Sequence, residues 1–194
     1  MKHLLIGLIP SHLGIFLTSN LDWSTQINDV CLRANRKLNV LRNVKLLKRS
    51  PLDLLYKITV RSLIDYALPV YGNNLKLTQL ARLDSLQYRA GKLVTGALHF
   101  TNKEKLNKEL GWENFQKRID FLGLSLFQKI HRHETRPLVR TCMSRIDYEK
   151  KYLTRSKIGY APYPNYGQQF KKSFFPYITG LWNNLRLKYN CCLY

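Results

Sequence analysis

Residues 50–72 read SPLDLLYKITVRSLIDYALPVYG, and this stretch decides the fold class. It opens like a helix, with Ser50 as a capping residue and Pro51 in the first turn. Apolar residues then fall on nearly every side of the helix, which predicts a position in the middle of a helical bundle. Pro69 and Gly72 are expected to end the helix.

Helical periodicity continues on both sides of this stretch. Upstream, residues 24–44 repeat apolar side chains at three- and four-residue steps, and asparagines and arginines fall on the opposite face. Downstream, the same pattern predicts helices at 75–98, 103–110 and 114–133. The side chains predicted to face inward are Leu80, Leu83, Leu86, Gln87, Ala90 and Val94 in the first of these and Phe115, Ile119, Leu122, Leu126 and Ile130 in the last. Ahead of them, residues 12–24 read as two extended segments around a turn at Thr18, Ser19 and Asn20. The predicted fold is therefore mainly α, with a short N-terminal β-hairpin, a helical bundle and a loop-rich C-terminal extension.

The charge balance is unusual for a globular chain. The 194 residues include 32 Lys and Arg but only 12 Asp and Glu, giving a formal net charge of +20. Residues 30–52 and 150–194 contain no acid at all. Such an excess favours a polyanionic partner, meaning nucleic acid or an anionic membrane surface. The alternative is a basic surface that is merely solvated.

The N-terminus and the lengths of the apolar runs indicate the cellular compartment. Residues 1–10 have a basic start and a short apolar run, but Pro10 interrupts the run and no cleavage site follows. No apolar run reaches the 20 or so residues that a membrane span needs. We therefore expect an intracellular protein, nuclear or cytoplasmic, with no membrane partner. The alternative is a secreted or membrane-surface basic protein.

No metal, cofactor or small-molecule substrate is expected. The four cysteines show no C-x-x-C spacing and are expected to be reduced thiols. A zinc site could be drawn from His131, His133, Cys142 and a terminal cysteine, but this spacing fits no familiar zinc motif.

An uncharged aromatic block, SFFPYITGLWNNL, occupies residues 173–185. Next to Lys171 and Lys172 it could act as a stacking platform for single-stranded bases. Packing is favoured, because buried aromatic side chains are the commoner use and each contributes roughly 1.5–3 kcal/mol of stability. We expect a short helix after Pro176 that packs against the preceding helices.

Six segments together resemble a known family. In chain order they are HLGIFLTSNLDWSTQI, ANRKLNVLRNVKLL, SPLDLLYKITVRSLIDYALPVYG, LDSLQYRAGKLVTGAL, EKLNKELGWENFQKRIDFLGLSLFQKI and SFFPYITGLWNNL. Their order and spacing resemble the region that follows the palm in reverse transcriptases of non-LTR (LINE-type, jockey-like) retrotransposons. The resemblance covers residues 13–185. His12 departs from the family pattern, which has an aromatic residue there.

The resemblance implies a division into three segments. Residues 1–23 would be the end of the palm, residues 24–133 a thumb-like helical bundle, and residues 134–194 a basic, aromatic extension packing back on the bundle. The family's palm holds magnesium through an Asp on one strand and an adjacent Asp-Asp pair, and this chain has no Asp-Asp pair and no acid before Asp22. We therefore expect no catalytic residues, no bound metal and no enzymatic activity of the chain alone.

A polymerase thumb grips duplex mainly through backbone phosphates, which suits a basic helical face. The residues expected to bind nucleic acid, whether RNA, DNA or their hybrid, are Arg33, Arg36, Lys37, Arg42, Lys45, Arg49, Asn35, Asn39, Arg89, Lys92, Lys171 and Lys172. Those expected to be structural are Trp23, Pro51, Trp112, Phe174, Phe175 and Trp182. The missing palm portion of a related polymerase is a second possible partner. The competing interpretation is an inert retroelement remnant with no selected activity.

Overall fold

The computed structural model describes residues 11–18, 20–44, 46–98, 100–132 and 167–189. The chain divides into two compact units. The first contains residues up to Ala67 together with Leu75–Phe115, and the second contains Leu68–Asn74 and the chain from Gln116 onward. The prediction of a mainly α protein is confirmed.

The first unit begins with a very short β pair. Strands β1 (Ser11–His12) and β2 (Ile15–Phe16) pair antiparallel, with Ser11 opposite Phe16. Leu13 and Gly14 turn the chain with φ of 50° and 77°, the positive values that two-residue hairpin turns require. The predicted hairpin is thus reduced to two residues a side, too short to form a sheet, and its turn lies ahead of the predicted one near residues 18–20.

Helix α1 (Ser24–Asn43) carries the main apolar stripe of the first unit. Val30, Ala34, Leu38 and Leu41 are buried, as their helical spacing predicts, and Ile27 extends this buried face. The predicted stripe also included Val44, which follows the helix and is exposed.

Residues 49–65, which overlap the apolar stretch 50–72 discussed above, form one nearly continuous helical rod. It comprises α2 (Arg49–Tyr56), a π-helical stretch (Lys57–Arg61) and α3 (Ser62–Asp65). The rod buries one face only, through Leu52, Tyr56, Val60 and Ile64. The prediction that the rod is buried on all sides is wrong, because Leu54 and Ile58 are exposed.

Leu54 and Ile58 are each 58% exposed, because the rod lies at the edge of the first unit and not at its centre. The predicted boundaries also shift. Lys48 takes the N-cap position, so Ser50 lies inside the first turn and does not cap it. The rod ends at Asp65, four residues ahead of Pro69, the first predicted breaker, and Ala67 adopts a left-handed φ of 56°.

Two further helices complete the first unit. Helix α5 (Leu77–Thr95) buries Leu83, Leu86, Gln87, Ala90 and Val94, five of the six residues predicted to face inward, and the sixth, Leu80, is half-buried. Helix α6 (Lys103–Leu110) has the predicted bounds. Its ends follow from local chemistry, because Asn102 accepts hydrogen bonds from the N–H groups of Glu104 and Lys105, and Gly111 closes the helix at a φ of 64°.

The second unit is built from α4 (Leu68–Tyr71), a 3₁₀ turn (Gly72–Asn74), α7 (Phe115–Arg132), α8 (Gln168–Lys171) and α9 (Phe174–Tyr189). Gly123 lets α7 and α9 approach closely, since an added Cβ there would lie 2.9 Å from Cδ1 of Ile178. Phe127 packs on Trp182 with ring centroids 5.4 Å apart. Ile178 is fully buried, so an aliphatic residue occupies the centre of this contact.

The compact units divide the chain at residue 115, whereas the predicted segments divide it at residue 133. The physical reason is that α7 buries Ile119 and Phe127 within the second unit. Its predicted stripe included Leu126, which is 37% exposed, while the neighbouring Phe127 is buried. The loop-rich part of the predicted extension, residues 133–166, lies outside the described residues.

Candidate nucleic-acid interface

Helices α1 and α5 lie side by side and run in the same direction. Arg82 donates to Oδ1 of Asn28 at 2.5 Å, and Arg89 donates to Oδ1 of Asn35 at 2.7 Å. Both contacts join residues 54 positions apart. Because the sequence separation is the same in both contacts, the two helices are parallel. The two asparagine–arginine contacts, called rungs here, lie one heptad apart on each helix.

A buried cysteine lies on α1 between the two asparagines that contact α5. Cys31 is buried between Asn28 and Asn35 on α1. Burial raises the pKa of its thiol, and the charges of Arg82 and Arg89 act in the opposite direction. Both guanidinium groups therefore lie close enough to Cys31 for their charges to reach it.

The outer face of α1 holds the most exposed predicted ligands. Arg36 is exposed and makes no hydrogen bond or ion pair within the described residues. Arg42 is also exposed, and its Nη1 donates to Oδ1 of Asn39 at 3.3 Å. Neither arginine has a carboxylate partner among the residues that the structure describes, so both keep their charge available to solvent.

Two predicted ligands are engaged by acids instead. Arg33 forms an ion pair with Asp29 at 2.5 Å along α1. Arg49 forms one with Glu109 at 2.6 Å, from the start of α2 to the end of α6. A carboxylate that neutralises a guanidinium competes with a phosphate for it, so these two residues are weaker candidates than their neighbours.

Two lysines have uncharged partners. Lys37 donates from Nζ to the backbone carbonyl of Thr59, in the π-helical stretch, at 2.9 Å. Lys92 lies over the ring of Tyr88, with Nζ 4.4 Å from the centroid. Both lysines retain their positive charge, because a carbonyl and an aromatic face stabilise a cation without cancelling it.

The remaining predicted ligands are not brought to this surface within one unit. Lys171 and Lys172 are exposed in the second unit. Lys45 lies outside the described residues. The first unit therefore supplies the surface on α1 and α5, here called the α1/α5 cationic face, made up of Arg36, Arg42, Arg82, Arg89 and Lys92.

Sequence reasoning missed Arg82. The signal was present, because Arg82 and Arg89 are seven residues apart, as are Asn28 and Asn35. Seven residues are close to two helical turns, so each pair falls on one side of its helix. What the sequence did not contain was the alignment of the two helices that joins the pairs.

The predicted structural residues differ in burial. Trp23 and Trp112 are each 4% exposed, whereas Pro51 is exposed at the start of α2. Phe174, Phe175 and Trp182 are half-buried on α9. Trp112 stacks on Tyr56 at a centroid distance of 4.4 Å and donates from Nε1 to Oδ1 of Asp53 at 2.9 Å.

Neither a metal-binding cluster nor a membrane-spanning helix occurs in the part of the chain that the structure describes. Within residues 11–132 and 167–189, apart from the gaps given above, no three His, Cys, Asp or Glu side chains are grouped so as to hold a metal ion. Over the same ranges, no helix combines the length and apolar character needed to cross a bilayer.

No protein-family model, curated protein or solved structure matches this chain.

Proposed function

We propose that this chain binds the phosphate backbone of RNA, DNA or an RNA–DNA hybrid, without sequence preference, through the α1/α5 cationic face. The observation that carries the proposal is that its arginines have asparagines or solvent as neighbours and no carboxylate partner in the described part of the chain. A surface arginine that keeps its charge and its donors is well suited to phosphate.

The distribution of acids supports the same function. In the first unit, Asp22, Asp29, Asp53, Asp84 and Glu109 each form an ion pair with a cation outside the α1/α5 cationic face. These ion pairs leave the positive potential of α1 and α5 largely uncancelled. Phosphate contacts carry no sequence information, so the expected binding is nonspecific and strongly salt-dependent.

The resemblance described above extends this proposal to an origin. On that view these 194 residues are the duplex-holding part of a reverse-transcriptase-like protein and do not themselves carry the carboxylates needed to extend a strand. It would need no cofactor and would not be an enzyme by itself. The missing palm portion of a related polymerase would then be its second partner.

Fluorescence anisotropy tests the binding with a labelled 16-base-pair RNA–DNA hybrid of mixed sequence. We expect log Kd to rise linearly with the logarithm of the salt concentration, with a slope that corresponds to several neutralised phosphates. The variant Arg36→Gln/Arg42→Gln should bind more weakly than the matched Lys105→Gln/Lys108→Gln, whose lysines are exposed on α6. Absence of binding at low salt would instead support an inert remnant.

A further inference from the structure

The two asparagine–arginine rungs form a repeated unit. Arg82 and Arg89 project from α5, and each is held by the side-chain oxygen of an asparagine on α1. At a rise of 1.5 Å per residue, the rungs lie about 10.5 Å apart along the helices. Repetition at the same interval on both helices gives two guanidinium groups at a fixed separation along the boundary between α1 and α5.

The chemistry of the holding residue is informative. An exposed arginine is commonly oriented by Asp or Glu, as Arg33 and Arg49 are here, and the carboxylate then cancels its charge. Asn28 and Asn35 orient Arg82 and Arg89 with a neutral oxygen that engages one amino group. Each guanidinium has five N–H donors, so most donors and the whole charge remain for a ligand.

Orientation before binding lowers the cost of binding. A free arginine side chain loses considerable rotamer freedom when it is immobilised on a ligand. Here the contact with an asparagine of the neighbouring helix already restricts each side chain. The planar fork of a guanidinium matches two oxygens of a phosphate, so a restricted fork favours that ligand over a simple anion.

We propose that Arg82 and Arg89, oriented by Asn28 and Asn35, form a two-point clamp that binds two phosphates of one nucleic-acid strand running along the boundary between α1 and α5. This inference rests on the proposed function and adds the path of the strand and the residues that fix it. Lys92, one helical turn beyond Arg89 and directed over Tyr88, extends the same path.

Four double variants test the clamp, and three of them lower the formal net charge of +20 by two. These three are Arg82→Gln/Arg89→Gln, Asn28→Asp/Asn35→Asp and the control Lys105→Gln/Lys108→Gln, and the fourth, Arg82→Lys/Arg89→Lys, leaves the charge unchanged. Because net charge is matched in the first three, differences among them report position. The probe is the 16-base-pair RNA–DNA hybrid, measured by anisotropy with the full chain from 50 to 300 mM KCl.

The arginine variant should bind at least about 10-fold more weakly than the control, and its salt slope should fall by about 2. The aspartate variant should lose affinity to a similar extent, because its new carboxylates neutralise the guanidinium groups while keeping the contacts between the helices. The melting temperature of the aspartate variant should be unchanged or higher. If Asn28 and Asn35 had a purely structural role, weaker binding would instead be accompanied by a lower melting temperature. Arg82→Lys/Arg89→Lys keeps the charge but removes the fork, so it should bind several-fold more weakly than the unaltered chain.

The possible failures are distinguishable. If the unaltered chain binds the hybrid and the arginine, aspartate and control variants all weaken equally, the clamp is wrong and the proposed function stands. If the aspartate variant folds and binds as tightly as the unaltered chain, the orienting role of the asparagines is wrong. If the unaltered chain does not bind at low salt, the proposed function fails and the clamp fails with it.

Discussion

Arg49 holds Glu109 at two points: Nη1 donates to the carboxylate Oε1 at 2.6 Å, and Nη2 donates to the backbone carbonyl of the same residue at 3.0 Å. The pair joins the first residue of α2 to the last turn of α6, 60 residues away. A residue that the sequence assigned to nucleic acid therefore links two helices. Both side chains are about half-exposed, so the ion pair contributes little to stability, about 0–1 kcal/mol.

Removing the acid should increase binding. In Glu109→Gln the Arg49 charge is no longer neutralised, and the affinity for the RNA–DNA hybrid should rise about 2- to 3-fold with a slightly steeper salt slope. Arg49→Gln leaves the Glu109 carboxylate without its cation and should lower the affinity only about 2- to 3-fold, the loss expected from one added negative charge outside the interface. Anisotropy measures both. A large loss of affinity in Arg49→Gln, similar to that of Arg36→Gln, would return Arg49 to the interface.

The approach of α5 to α6 depends on Gly91. A Cβ at this position would lie 2.6 Å from Cδ2 and 3.2 Å from Cγ of Leu106, which is buried. Gly91→Ala should therefore destabilise the first unit by about 1–3 kcal/mol despite the better helix propensity of alanine. Urea unfolding followed by far-UV circular dichroism measures the change.

Gly180 provides the matched control, since it is an exposed glycine of α9 with nothing within 4 Å of an added Cβ. Gly180→Ala should be neutral or stabilising by up to about 1 kcal/mol. If both alanine variants proved stabilising, the close packing of α5 on α6 at Gly91 would be contradicted.

Trp112, in the segment that follows α6, packs on α2. It stacks on Tyr56 and donates its indole N–H to Asp53. Trp112→Phe retains an aromatic ring but loses the hydrogen bond to a charged group, so we expect a loss of about 1–3 kcal/mol. Trp112→Ala removes the stack as well and should cost about 3–5 kcal/mol. Chemical unfolding by circular dichroism ranks the two.

Asp53→Asn separates the contributions at this site. An asparagine oxygen can still accept from Trp112, so this variant loses mainly the ion pair with Lys57, worth about 0.3–0.5 kcal/mol for a helical i,i+4 pair. A loss as large as that of Trp112→Phe would show that the Lys57 ion pair, and not the indole hydrogen bond, is the main contribution.

The contribution of Tyr177 to the stability of the second unit is expected to be lost at alkaline pH. Burial, together with the hydrogen bond to Asp120 and the charge of that residue, raises the pKa of Tyr177 from 10.0 to about 12. The folded state thus keeps the phenolic proton after the unfolded state has lost it. The stabilising effect is complete below pH 10 and is lost as the pH rises from 10 to 12.

The measurement is the difference in melting temperature between the unaltered chain and Tyr177→Phe. Because tyrosine loses its advantage as it ionises in the unfolded state, this difference should be constant below pH 9 and shrink between pH 10 and 12. The other tyrosines are common to both proteins and cancel in the comparison. A difference that stayed constant to pH 12 would contradict the raised pKa.

The accuracy of the sequence predictions depended on how local the relevant contact is. The bounds of α6 were predictable because Asn102 and Gly111 act within one turn of the helix ends. The buried stripe of α5 was predictable because its five residues repeat with the period of a helix. Burial of the α2 rod on all sides was predicted wrongly, because an apolar residue such as Leu54 stays exposed when no neighbouring element covers it.

The candidate site divides in the same way. The excess of arginine and lysine on α1 was visible in the sequence, and so was the asparagine stripe beside it. The partners of Arg33, Arg49 and Arg89 were not, although the contact of Arg33 with Asp29 is local enough to have been found from its i,i+4 spacing. Arg82 was overlooked because its only indication was a spacing shared with a distant helix.

By itself the sequence determined that this protein is helical, where several helices begin and end, and that its surface is strongly basic, because hydrogen bonding within a helix, capping and net charge are local or additive properties. Only the tertiary structure decided which cations remain available. That choice depends on the parallel alignment of α1 with α5, which places Asn28 and Asn35 beside arginines 54 residues away, and on the packing that brings Glu109 to Arg49.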